Sequence, residues 1–475
     1  MALRVKNGFF SKIFSASVQA LAVQFLGVLF FYITSFYLSK NDFGIISWSN
    51  ATAITITTLV GLGMEQVIIR RVAASSTSNW AAAACFLHNA TFSLVAVTIL
   101  FLLKFILGDV DKLVFLPYFF IVQSLIFIAT PLKQFLNAKE QFTPYAVIAL
   151  VSNVAKVLLC LAWTYYRPFS ISAVLLIMAF AGLLELVALF LYIAAKGGFV
   201  WKFKFSAYKK LLKESMPQYI AVLFDSSLSR VDWILMGILS TNTATANYSF
   251  SYRAFEVLKL PIVVIGTILL PRFSRLLQKS DDLNQSQHDL INQIFSLEIA
   301  FAVLIVMVAD IGWSPWVDQL TGNKYGAVNE LTFTLLSACI PFHFVINLMW
   351  VISFASRKYK SVAKLTMITA VVNLVANLVF IPLFKEHGAA IAFLGSSILQ
   401  MVLYFYTLKQ NKILIDLKPS LLFLLLAVIL VTVVKYSGIP IAMQLLIAVG
   451  GFCVFALTRK ETRLSKIKNT LISLK

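Results

Sequence analysis

From residue 14 to residue 458 the chain alternates between long apolar runs and short polar connections. The runs fall at 14–38, 46–64, 82–103, 113–132, 144–166, 171–195, 217–240, 246–270, 294–313, 331–355, 362–384, 388–408, 419–436 and 440–458. About 20 apolar residues suffice for a helix to cross the hydrocarbon core, so the pattern predicts about fourteen spans; spans 9 and 13 are the weakest predictions. The fold class is therefore an all-α integral membrane protein. No connection is long enough to fold alone. The longest are 313–330 on one side and 196–216 and 271–293 on the other; the last, from Arg272 through Asp281 and Asp282 to His288, predicts a helix lying along the membrane surface. Fused nucleotide-binding or catalytic modules are thus not expected, although a separate partner protein is compatible. The first run follows a basic start without a small-residue cleavage site, which reads as a retained helix.

Composition agrees. The 475 residues are 60% hydrophobic and 13% charged, against about 25% charged in soluble proteins. The net charge of +20 could suggest nucleic acid, but its distribution argues otherwise. With both termini cytoplasmic, outside connections hold only Lys40, Lys104, Lys112, Arg167, Lys324, Lys385 and Lys435 of the 40 Lys and Arg. Nearly all the rest lie inside, which is the positive-inside rule. The basic balance reports orientation and contact with anionic membrane lipids, so no nucleic-acid partner is expected. Cys85, Cys160, Cys339 and Cys453 sit in apolar runs without a CxxC pair, and the four histidines (88, 288, 343 and 387) are scattered. Neither a metal site nor any other cofactor is expected, and no GxSxG, HExxH or P-loop signature occurs.

The charges inside the spans carry the candidate chemistry. A charged side chain at bilayer depth costs roughly 2.5–3.5 kcal/mol on insertion scales, and persists where it faces a water-filled cavity or a partner. Arg230, Asp232, Arg253, Glu256 and Lys259 are such residues; three are cations, which points to an internal site for an anionic substrate and hence to a transporter. Arg253, Glu256 and Lys259 are spaced i, i+3, i+6, a cationic wall or a self-neutralised ladder. Pro261 predicts a kink beside them that frees backbone carbonyls. Asp225 and Asp232 share one face of span 7, whereas Arg230 points away from it; the acids could bind a coupling ion or pair with a neighbouring cation such as Arg253. Lys156 and Glu185 lie about 18–21 Å into adjacent spans, near the midplane. They could form one buried pair, or Lys156 could be a second phosphate contact. Arg70 and Arg71, at the inner end of span 2, set topology or meet phosphate arriving from the cytoplasmic leaflet. His88 reads as a satisfied core residue. Trp48, Trp80, Trp201, Trp313 and Trp316 read as an interfacial belt or as sugar-stacking surfaces.

A faint internal repeat is visible. Span 1 leaves through Tyr37–Ser47 and span 7 through Leu239–Ser249, each a short polar turn leading into a serine-bearing helix. Phe135–Lys139 precedes a helix with Asn153, as Phe354–Lys358 precedes one with Asn373. Parallel repeats with a site between them are a common transporter plan. The organisation expected is an N-terminal lobe over 1–195 (spans 1–6), a basic cytoplasmic linker over 196–216, a C-terminal lobe over 217–410 (spans 7–12), and spans 13–14 with a basic tail over 411–475.

The segments SKNDFGIIS (39–47), GLGMEQVIIRRVA (61–73), SMPQYIAVLFDSSLSRVDWILMG (215–237), ANYSFSYRAFEVLKLPIVVIGTILLPRFSRL (246–276), LTGNKYGAV (320–328) and NLVANLVFIPLFKEHGAAIA (373–392) occur in the order found in Wzx-type polysaccharide-unit flippases. These belong to the multidrug/oligosaccharidyl-lipid/polysaccharide exporter superfamily, and the chain resembles them over about 14–410 by pattern and order, without one diagnostic motif. The turn Lys40–Gly44 departs from the family's frequent Pro-Glu before an aromatic residue and Gly. The resemblance implies two six-helix lobes in a V with a central cavity, plus two C-terminal helices, working by alternating access. It implies polyprenyl-diphosphate-linked oligosaccharide as cargo, the bacterial inner membrane as location, and a polysaccharide polymerase and chain-length regulator as candidate partners. It also places an acidic residue at Asp232. Alternatives are a peptidoglycan lipid-precursor flippase, a multidrug or cation antiporter, and a glycan polymerase or ligase; the last would need an outer loop with paired catalytic residues.

Overall fold

The structure, a computed structural model, describes residues 21–459 apart from 76–77, 109–111, 198, 200, 202, 278–284, 357, 411–412 and 414. Among these residues it is helical, without strands. Eleven helices are long and apolar enough to cross a membrane. Together with Leu21–Tyr37 and Phe205–Leu239 they account for every predicted span, because one of them, Tyr359–Gln410, holds two passes. Lys385, at φ 52° and ψ −126°, breaks that helix. Asn373 donates to Ser396 Oγ at 3.1 Å, whereas an unbroken helix would hold these residues about 35 Å apart. The chain is a multi-pass membrane protein.

Contacts divide it into two units, residues 1–246 and 247–475. The first contains α1 (Leu21–Tyr37), α2 (Lys40–Val60), α3 (Met64–Ala74), α4 (Trp80–Leu107), α5 (Leu116–Ala138), α6 (Phe142–Tyr166), α7 (Ile171–Lys196) and α8 (Phe205–Leu239). The start of α9 (Asn242–Leu258) also belongs to it. Helix α5 is its centre, packed on α4, α7, α2 and α3. Ser39 caps α2 by accepting from Asp42 N at 3.1 Å, as Thr241 caps α9 by accepting from Ala244 N at 3.2 Å, so the two repeat-related turns share their chemistry. Helix α8 packs on α2 and α3; residues 217–246, the greater part of this helix and the start of α9, lie between the expected boundary at 216/217 and the contact boundary at 246/247.

The second unit comprises the rest of α9, α10 (Leu260–Leu277), α11 (Gln285–Thr321), α12 (Glu330–Ser337), α13 (Cys339–Ala355), α14 (Tyr359–Gln410), α15 (Lys418–Tyr436) and α16 (Ile441–Thr458). Helix α13 is central, and α15 and α16 pack on α11. Phe295, Ile299, Val345, Met349, Phe423 and Phe452 belong to one buried cluster. Lys435 on α15 bridges Asp310 (2.9 Å) and Glu330 (2.8 Å), tying the last hairpin to α11 and α12. In both units Leu94, Ile106, Leu158, Val428 and Leu446 face outward, a cost in water but not in hydrocarbon.

The expected linker 196–216 is helical from Phe205, with Leu211 buried in the α3–α5 cluster and Tyr208 and Leu212 packed against it. Two expectations are corrected. The polar segment 271–293 forms no separate surface helix among the described residues. Arg272–Leu277 continues α10 and Gln285–Gln293 opens α11, since Phe273 and Ile291 are drawn into the core; residues 278–284 lie outside the described residues. Trp48 and Trp313 are buried, so they belong to no belt. Their indole N–H groups donate to Ile234 O at 3.1 Å and Gly326 O at 2.9 Å.

Candidate functional site

A close cluster of charge lies where α3 meets α8. Between α2 and α3 the chain turns through Leu62 (φ 49°) and Gly63 (φ 66°), left-handed backbone that glycine adopts without penalty. A Cβ on Gly63 would stand 2.6 Å from Tyr219 N, so only glycine lets α3 begin this close to α8. Tyr219 donates its hydroxyl to Leu59 O at 2.9 Å, fixing the approach. Farther along, Arg71 grips Glu214 with both prongs, Nε to Oε2 at 3.0 Å and Nη2 to Oε1 at 2.6 Å. Arg70 Nη2 donates to Oε2 at 3.1 Å, and the Arg71 guanidinium lies over Trp80. The Arg71 hydrogen bond holds the Glu214 carboxyl below its ordinary range, partial burial opposes it, and the charges of Arg71, Arg70 and Lys210 assist. Arg70 and Arg71 thus stand together as an anion-binding fork already occupied by an internal carboxylate. Glu214 was not singled out from the sequence; its signal is that it stands alone as an acid in a lysine-rich stretch.

One helical turn from this clamp, α2, α3, α5 and α8 line a partly open cavity of about 250 Å³. Gln66, Gln123, Gln218, Thr57, Thr58 and Thr130 supply its polar lining.

A second cavity, of about 240 Å³, contains Lys133, Glu185, Asn153 and Lys156. Here the expected Lys156–Glu185 pair is corrected. Glu185 binds Lys133 Nζ at 2.7 Å, while Lys156 donates to Asn153 Oδ1 at 2.9 Å and stands over the Phe30 ring. The physical reason is that α5 continues to Ala138, past the predicted span end at 132, and carries Lys133 inside.

In the second unit Arg253 Nη1 and Glu256 Oε2 are 2.7 Å apart. Lys259 occupies the break between α9 and α10, before Pro261, with its ammonium over the Phe255 ring. The kink is where the proline predicts it, and Arg253 and Glu256 pair as their spacing allows. Asp232 is buried and accepts from Trp233 N at 2.8 Å; Arg230 is half-buried. The Asp225 side chain lies outside the described ones. His88 is buried between Tyr208 Oη (2.7 Å) and Val60 O (2.8 Å), the core role expected. No group of three His, Cys, Asp or Glu among the described residues has metal-binding geometry.

A probable lipid II flippase MurJ of Helicobacter pylori is 24% identical over 317 residues, 60% of this chain and 66% of that protein. The Rickettsia prowazekii probable lipid II flippase MurJ is 25% identical over 304 residues, 59% of this chain and 56% of its own length. The chain thus spans less than two thirds of these relatives. In fold it is similar to a lipid II flippase MurJ in an inward closed conformation, with TM-score 0.75 and 13% identity over 93% of this chain and 98% of the other. It is also similar to an inward-facing MATE multidrug transporter of the MOP superfamily, with TM-score 0.65 and 12% identity over 84% and 98%. The family model described as "Polysaccharide biosynthesis protein" matches residues 9–277, more than half the sequence, and the chain belongs to that family.

Proposed function

We propose that the chain is a flippase carrying undecaprenyl-diphosphate-linked oligosaccharide units from the cytoplasmic to the outer leaflet of a bacterial inner membrane by alternating access. The observation that carries this reading is the clamp of Arg70 and Arg71 on Glu214. A diphosphate arriving from the cytoplasmic leaflet offers the fork the same oxygen geometry as the carboxylate, with more charge. Exchange of Glu214 for the diphosphate leaves neither arginine bare, so binding and release of the clamp are coupled. Lys156, Arg230, Arg253 and Lys259 are further candidate phosphate contacts. Asp232, with Asp225, Glu256 and Glu185, forms the set from which a coupling ion or a charge pair would be drawn. The positive-inside pattern supports a cytoplasmic location for both termini, and a polymerase and a chain-length regulator are proposed partners.

A second reading is a flippase for lipid II, favoured by the names of the curated relatives. It shares the polyprenyl diphosphate and differs in the glycan. One genetic experiment separates the readings. Deleting the gene, with the chain supplied back in trans, is expected to abolish long-chain surface polysaccharide while single lipid-linked units accumulate on the cytoplasmic side. Rescue of a strain depleted of its lipid II flippase would assign the peptidoglycan precursor instead. Unchanged glycans with raised sensitivity to cationic toxicants would assign an exporter. Normal surface polysaccharide from Arg71→Ala and Arg253→Ala/Lys259→Ala chains would remove the phosphate-contact assignment.

A further inference from the structure

We propose that the cavity of about 250 Å³ among α2, α3, α5 and α8 is a carbohydrate subsite that holds one pyranose ring of the cargo, next to the diphosphate clamp. The proposal rests on the flippase reading above and says where the sugar attached to the phosphate is held.

The lining chemistry selects the ligand class. Gln66, Gln123 and Gln218 line the cavity, and none of the three carboxamides is hydrogen-bonded to another described residue. Each offers a carbonyl acceptor and an NH₂ donor, the complement of a sugar hydroxyl, which both gives and takes a hydrogen bond. Thr57, Thr58 and Thr130 spend their hydroxyl protons on Ile54 O, Ile54 O and Ile126 O at 2.8, 2.9 and 3.0 Å, which leaves these lining hydroxyls their oxygen lone pairs as acceptors. Phe127 supplies an apolar wall against which the C–H face of a ring can lie. No lysine or arginine is among the described lining residues, so the space does not suit a phosphate. Glu65 is the one ionisable group in the described lining. Drug-sized sites run to about 300–1,000 Å³, so this smaller cavity suits one ring rather than a whole repeat unit.

Position makes the same selection independently. Gln66 precedes Arg70 by four residues on α3, and Gln218 follows Glu214 by four on α8. On each helix the pair shares a face, one turn and about 6 Å apart. Both helices therefore put a carboxamide one turn deeper than a member of the charge clamp. In a polyprenyl-diphosphate glycan the first sugar is bonded directly to the phosphate, so a sugar subsite has to lie within about one ring of the phosphate subsite. These two sites meet that requirement on both walls.

The test uses the full chain in lipid nanodiscs and three probes: undecaprenyl diphosphate, and the same lipid carrying one galactose or one N-acetylglucosamine. Native mass spectrometry reads the dissociation constants. The wild-type chain is expected to bind at least one glycosylated probe more tightly than the bare lipid. Gln66→Ala, Gln123→Ala and Gln218→Ala should each remove about three- to tenfold of that preference, the value of one or two hydrogen bonds, with the bare lipid bound as before. Gln66 is exposed, so its alanine variant reports on the subsite even if Gln123→Ala fails to fold. Retained affinity for the bare lipid certifies each variant. A wild-type chain that binds all three probes equally overturns the subsite and leaves the flippase reading standing, as do certified variants with full preference. A wild-type chain that binds none of them overturns the flippase reading itself, and the subsite with it.

Discussion

Arg71 and Glu214, 143 residues apart in sequence, form a two-pronged ion pair with contacts of 3.0 and 2.6 Å. Its position at the end of α3, with Arg70 on the same carboxylate, makes Glu214 a competitor for whatever anion the arginines would bind. Replacing it by glutamine keeps the shape and removes the charge. Glu214→Gln is therefore expected to raise affinity for undecaprenyl diphosphate about tenfold, or about 1.4 kcal/mol. Arg71→Lys, which keeps charge but loses the fork, should lower it. Titration of both variants in nanodiscs checks this, and an unchanged Glu214→Gln affinity would show that the carboxylate does not compete.

The same carboxyl sets a pH dependence. Its folded-state value lies below the ordinary 4.5, so the unclamped state binds the proton more readily. The clamp's contribution to stability is then fully present above about pH 4.5 and is lost as pH falls through the depressed value. The difference in thermal stability between the wild-type chain and Glu214→Gln should be flat from pH 8 to 5 and shrink below that. A difference that shrinks between pH 8 and 6 would assign the effect to another group.

How far the sequence discloses such features depends on what fixes them. The bilayer demands a length of apolar chain, so every span was legible, including the reversal at Lys385 within one continuous helical segment. Pro261 forecast the break that Lys259 occupies. Partners were not legible, because an ion pair depends on which helix faces which. Depth along the spans matches Glu185 to Lys156, yet Glu185 is bound by Lys133, which lies just past the predicted span end at 132. Glu214 stood in a stretch whose lysines read as topology, and only packing of α8 on α3 brings it to Arg71. Trp48 resembled an interfacial residue by its nearness to a helix end, but a buried carbonyl on α8 takes its N–H.

The Lys133–Glu185 pair allows a stability test. Its side chains are only 16% and 10% exposed, so each would be costly without the other. Glu185→Gln is expected to destabilise the chain by about 3–5 kcal/mol, the usual cost of stranding a buried charge. Lys133→Met combined with Glu185→Leu should recover most of that loss. Thermal unfolding of the three variants in detergent measures the difference; equal losses in the single and double variants would show that the two charges are not coupled.

The packing of α2 on α8 can be tested by adding one methyl group. A Cβ at Gly237 would lie 1.8 Å from Trp48 Cδ1, and the indole cannot swing aside freely because its N–H is bonded to Ile234 O at 3.1 Å. Lys112 adds to the constraint by donating to Gly237 O and Ser240 O. Gly237→Ala must therefore push the helices apart or break the indole hydrogen bond, and overpacking of this kind costs about 1–3 kcal/mol. Trp48→Ala alone should also destabilise, through the cavity it leaves. In the double variant the new methyl occupies part of that cavity, so the combined loss should be smaller than the two single losses added. Melting temperatures of the four chains decide the matter: strict additivity would mean that Trp48 and Gly237 do not set the distance between α2 and α8.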